Sequence, residues 1–147
     1  MSELSISQFA DRVSELMPVI MREFVKHQVT EFEKLKITMP QSFVVDILSR
    51  KGEWKMSDLA KFINVTTAAM TGIIDRLVKG GFEVRVHDPD DRRIIRVKLT
   101  PKGAKVANDM ISRRKEITIS MFGTISQDER EEYLKILSHI HEHLKEV

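Results

Sequence analysis

Thr66, Thr67, Ala68 and Thr71 lie within one short stretch, and all are small. Side chains of this size let a helix approach the edge of a base pair closely. Their hydroxyls hydrogen-bond to any base, and their methyls can meet that of thymine. A second group, Asp91, Arg92 and Arg93, offers two guanidinium groups. These suit phosphate oxygens or the concentrated negative potential of a minor groove. Asp91 stands two residues before Arg93, close enough to hold that guanidinium in one pose. Charge supports the pairing. The chain as a whole carries +2, but nine basic and four acidic residues between Arg76 and Lys105 concentrate +5 there and leave −3 elsewhere. That is the electrostatic footprint of a polyanion-binding face, although many charge runs are no more than solvated surface.

Other chemistry finds little material. The chain has no cysteine, so disulfides, thiolate metal sites and cysteine nucleophiles are excluded together. His139 and His143, four apart, share a helix face, yet a metal site needs three or four converging ligands, and Glu142 and Glu146 stand to the side. No metal and no cofactor are expected. Lys79-Gly80-Gly81 follows a helix and precedes a strand, the reverse of a phosphate-binding glycine loop. Asp90 and Asp91 fall in a solvated turn rather than a cleft, so no enzyme is expected either. The N-terminus from Met1 to Ser5 lacks a signal-peptide pattern, and no long apolar run suggests a membrane span. A cytoplasmic location is expected.

The elements that must position these residues follow from periodicity. Phe9, Val13, Leu16, Ile20 and Phe24 recur every three or four residues and predict a long amphipathic first helix, capped by Ser5 with Gln8. Pro18 predicts either a kink near Met17 or a helix that restarts there. Thr38 and Gln41 cap a second helix that ends near Gly52. A third begins around Ser57 and stops at Asn64, and a threonine then caps a fourth that reaches about Lys79. Beyond Gly80-Gly81 the period falls to two. Phe82, Val84 and Val86 alternate with Glu83 and Arg85, and Ile95, Val97 and Leu99 with Arg96 and Lys98, which predicts a hairpin with a charged tip. Thr100-Pro101 opens a long helix to about Phe122. After Gly123, Ser126 and Glu129 cap a last helix whose apolar face is Tyr133, Leu134, Leu137, Ile140 and Leu144.

Helix, tight turn, helix and basic-tipped hairpin is the element order of a winged helix-turn-helix. At this point the sequence resembles the MarR (multiple antibiotic resistance regulator) transcription factors. The likeness is densest from Ile37 to Lys105: Asp58-Leu59-Ala60, Thr71 to Leu77, Asp88-Pro89-Asp90-Asp91-Arg92-Arg93, and Val97 to Gly103. The resemblance implies major-groove contacts at Thr66, Thr67, Ala68 and Thr71. It implies wing contacts at Arg92 and Arg93, with Asp91 orienting them. It also implies a dimer built by the first and last helices, and a crevice for small aromatic acids, phenols or other lipophilic compounds; Met17, Met21 and Arg22 are the expected lining. Two positions depart from the pattern: Gly72 replaces a common basic residue, and Glu83 replaces the usual aliphatic residue opening the first wing strand.

The expectation is therefore one mostly helical α+β domain over residues 1–147. Its winged helix-turn-helix lobe is 37–103, and its dimerisation helices are 1–36 and 104–147. The expected role is a homodimeric, sequence-specific DNA-binding regulator, a repressor released by a small effector. An architectural protein without an effector is the alternative, and ligand response separates the two.

Overall fold

The computed structural model describes residues 4–145. Residues 1–3 and 146–147, with Glu146 among them, lie outside the described part. The chain divides into two compact units, Met1–Arg113 and Arg114–Val147.

The first unit opens with α1 (Ile6–Lys34), started by the Ser5–Gln8 capping box. Pro18 neither ends the helix nor restarts it, and α1 is continuous over 29 residues. A proline removes one backbone donor, and the hydrogen bonds on either side carry the helix past it. Helices α2 (Met39–Lys51), α3 (Met56–Ile63) and α4 (Thr67–Lys79) follow. Asn64 ends α3 in the left-handed conformation (φ 60°, ψ 49°), which its short polar side chain tolerates, and Thr66 caps α4 two residues later.

The sheet has one strand more than the periodicity predicts. Trp54–Lys55 forms β1, which pairs with β3 (Ile95–Leu99); β3 in turn pairs with β2 (Glu83–His87), giving the order β1-β3-β2, all antiparallel. The register sets Glu83 opposite Leu99 and Arg85 opposite Val97. Directly paired residues share a face, so Glu83 and Arg85 point the same way as the buried Val97. The expected polarity of β2 is thus inverted: Glu83 is 1% exposed, whereas Val84 is open to solvent. Pairing across the turn decides which face of a strand points inward, and it overrides the strand's own alternation.

Val44, Val45 and Leu48 of α2, Leu59 of α3, Met70, Ile74 and Leu77 of α4 and Val97 of β3 make the core. Helix α5 (Pro101–Phe122) starts with the Thr100 Oγ1 accepting from the Gly103 N–H at 3.0 Å, and buries Ala107 and Met110. Gly103 is required at its place: a Cβ there would lie 2.0 Å from the Phe82 carbonyl oxygen. By contrast α1 buries only Phe32 and leaves Phe9, Leu16 and Ile20 exposed.

The second unit holds the end of α5 and α6 (Gln127–Lys145). Ser126 and Glu129 cap each other's backbone at the start of α6, at 3.2 and 2.7 Å. The Phe122 and Tyr133 rings meet at 5.2 Å, and Arg130 donates to the Ile125 carbonyl. Among the described residues of α6 none is buried, and Leu134, Leu137, Ile140 and Leu144 form an open apolar face.

Candidate nucleic-acid interface

The residues expected to read base edges occupy the cap and first turns of α4. Thr66, Thr67, Ala68 and Thr71 are all exposed, while Met70, Ile74 and Leu77 bury the opposite side. Two hydroxyls are already engaged. The Thr66 Oγ1 accepts the Ala69 N–H at 3.1 Å, and the Thr71 hydroxyl donates to the Thr67 carbonyl at 2.9 Å. With its proton committed, the Thr71 oxygen is left to accept and its methyl to make apolar contact. Gly72 adds no side chain, and the space where one would stand is open.

The wing is a hydrogen-bonded turn with an exposed tip. Asp88 is its organiser, and it is the functional residue that sequence reasoning missed. Its Oδ1 accepts the N–H of Asp90 at 3.0 Å and of Asp91 at 3.3 Å, while its Oδ2 accepts Arg96 Nε at 2.7 Å. The Arg96 hydrogen bond, ahead of the two backbone bonds, holds this carboxyl below its ordinary range. An aspartate directly before a proline in a turn is the signal that could have found it, because such side chains fold onto backbone N–H groups two residues on. The His87 ring meets the Arg92 carbonyl at 3.0 Å.

Arg92 and Arg93 project from this frame, the Arg93 side chain 94% exposed. Asp91 holds the backbone more closely than the guanidinium: its Oδ1 lies 3.0 Å from the Arg93 N–H and 3.5 Å from Nε. It therefore aims the start of the side chain and leaves the charged end to adjust. One further contact ties α4 to the wing strand: Arg85 of β2 is paired with Asp75 of α4.

The residues expected to line an effector crevice lie on α1. Met17 and Met21 are about half exposed there, and the Arg22 side chain is more so. A cleft of about 360 Å³ lies elsewhere in the first unit, between Leu48, Gly52, Lys98, Leu99, Ala104 and Asn108. Among the described residues, no cluster of three or more His, Asp or Glu could hold a metal, and no helix is long and apolar enough to cross a membrane.

Comparison with known proteins bears on this arrangement. The MarR family model matches residues 37–95, which takes in α2 to β2, the wing turn and the first residue of β3. The HTH-type transcriptional regulator YfiV of Bacillus subtilis (strain 168) is 40% identical over 78 residues, 53% of this chain and about half (49%) of that relative's length. The HTH-type transcriptional repressor MdtR of the same organism is 26% identical over 125 residues, 85% of this chain and 81% of that one. Among solved structures, Streptococcus pneumoniae FabT in complex with DNA superposes with a TM-score of 0.82 at 19% identity, over 93% of this chain and 98% of that one. That likeness carries the fold. The winged helix-turn-helix lobe with its aspartate-organised, arginine-tipped turn is the part that the MarR family model matches, so the chain is similar to the MarR family over this lobe.

Proposed function

We propose that the protein is a transcriptional regulator rather than an enzyme, a homodimer that binds double-stranded DNA at a near-palindromic operator and represses. The carrying observation is the exposed first turn of α4, bare of large side chains, on the same lobe as a braced wing turn with Arg92 and Arg93 at its tip. The two recognition helices of a dimer enter successive major grooves about 34 Å apart. Support for DNA as the partner comes from FabT, a fold relative seen with DNA, and for repression from MdtR, a relative named as a repressor. Dimer formation is supported by apolar residues left open on α1 and α6, which water would otherwise cover. In this reading the lobe is residues 37–103, helices 1–36 and 104–147 pair the subunits, and the protein works in the cytoplasm. A small aromatic or lipophilic effector releases the DNA from a crevice to which Met17, Met21 and Arg22 contribute.

Selecting DNA sites from a random pool tests the reading. A dyad-symmetric motif is expected, and recovery of random sequences alone would refute sequence-specific binding. Aromatic acids, phenols and cationic dyes that neither raise the melting temperature nor release DNA would replace the sensor by an architectural protein.

A further inference from the structure

Glu83 is an acid where a strand should bury an aliphatic side chain. It is 1% exposed, and neither carboxylate oxygen has a hydrogen-bond partner. A charged carboxylate in that state is costly, whereas a neutral carboxyl is tolerable. Burial accordingly pushes its pKa up to about 8, with Arg85 pulling the other way. Arg85 is two residues along the same face of β2, and its guanidinium is committed to Asp75 on the recognition helix.

The other groups nearby offer no rival partner. On β3 the positions facing the same way are Leu99, Val97 and Ile95, none of them charged. From the first turn of α5, Lys102 has its Nζ on the Gly80 carbonyl at 2.8 Å and above the Phe82 ring at 4.7 Å. His87, at the far end of β2, contacts the Arg92 carbonyl. On α4, Arg76 and Lys79 are solvent-exposed. Arg85 is the charge that acts on Glu83.

We propose that Glu83 and Asp75 are alternative partners of Arg85, so that the protonation state of Glu83 decides whether the recognition helix is tied to the wing strand. With Glu83 neutral, Arg85 clamps α4 to β2 through Asp75. When Glu83 releases its proton to solvent, the buried carboxylate draws Arg85 along its own strand and the clamp opens. Asp75 is the more exposed of the original pair and is left to water. The consequence for DNA rests on the function proposed above, since it takes the clamped arrangement as the one that fits an operator.

The test begins without DNA. Carboxyl carbon resonances of the full-length protein are followed by NMR from pH 6 to 10. A Glu83 step near pH 8, accompanied by a step of the same midpoint at Asp75, is expected. In Glu83→Gln the Asp75 step should vanish; in Asp75→Asn the Glu83 midpoint should fall, because Arg85 is then available to it. A Glu83 step that leaves Asp75 unmoved, or an Asp75 step that survives in Glu83→Gln, would overturn the proposal. With a selected operator, wild-type affinity should decline above pH 8 by no more than tenfold per pH unit, the limit for one linked proton. Glu83→Gln should lack that decline. If the paired carboxyl steps appear while no duplex binds at any pH, the switch stands and the DNA-binding reading is the one that fails.

Discussion

Replacing Gly103 by alanine should be among the most damaging small changes available to the first unit. The added Cβ would meet the Phe82 carbonyl oxygen at 2.0 Å, its carbon at 2.9 Å and the Leu99 Cδ2 at 3.2 Å. The two nearest atoms are backbone and cannot swing aside, so helix and strand must part by roughly 1 Å, at an overpacking cost of about 1–3 kcal/mol. Parting them also strains the Thr100 N–H bond to the same Phe82 oxygen, 3.0 Å long, and the Thr100 hydroxyl bond to Gly81 at 2.6 Å. Losing one of these adds about 1 kcal/mol. The expected sum is about 3 kcal/mol, near a 10 °C fall in Tm for a chain of this size. Gly72→Ala is the internal control. Its Cβ would meet nothing within 4 Å, and alanine inside a helix gains about 0.5–1 kcal/mol over glycine, so Tm should rise by about 2–3 °C. Thermal unfolding of the three proteins at one fixed concentration decides the matter, because melting of an oligomer depends on concentration. Equal melting temperatures for the two variants, or a loss below about 1 kcal/mol for Gly103→Ala, would refute the packing argument.

Arg93→Ala should weaken binding to all duplexes and reduce the salt slope by about one, while Thr71→Ala leaves the slope and reduces preference for operator by roughly 1 kcal/mol. Titrations on operator and random DNA at several salt concentrations check this, and like behaviour of the two variants would mean that helix or wing is misassigned. Asp88→Ala should speed hydrogen exchange at the Asp90 and Asp91 amides. The wild type should show the same loosening at acid pH: a carboxyl held below its usual value stabilises above that value, and the contribution is lost as pH falls through the lowered pKa. Unchanged amide exchange in the variant would deny Asp88 its organising role. Sedimentation at micromolar concentration should give about 34 kDa, twice the 17.0 kDa chain, and a monomer would remove the proposed assembly.

What could be read beforehand was what is local. The caps at Ser5, Thr66, Thr100 and Ser126 and the left-handed stop at Asn64 lie within a few residues of the groups they serve, so spacing alone reveals them. Arg92 and Arg93 were legible for the same reason: a turn exposes whatever it carries. Features that depend on distant partners were not. Strand β1 is two residues long and exists because Val97 and Arg96 lie opposite it. The inward face of β2 depends on its register with β3. Likewise the Asp88–Arg96 and Asp75–Arg85 pairs join residues eight and ten apart across a turn, beyond any helical or strand period. Pro18 predicted either a kink or a restart, and the restart is ruled out because α1 runs on through it.

The strand order also bears on how this protein behaves when crowded. Both outer strands of a small open sheet offer unpaired N–H and C=O groups to any passing extended chain. Here β1 is too short to template much pairing, and it carries Lys55. The other margin, β2, is longer and shows Val84 to solvent, the kind of strand that invites a second copy to add on. Its inward-pointing Glu83 works against that. A second copy added along this strand would stack acid on acid on the core-facing side, a contact that in-register stacking disfavours. A position that costs stability in the folded lobe thus helps to keep the wing from seeding aggregates.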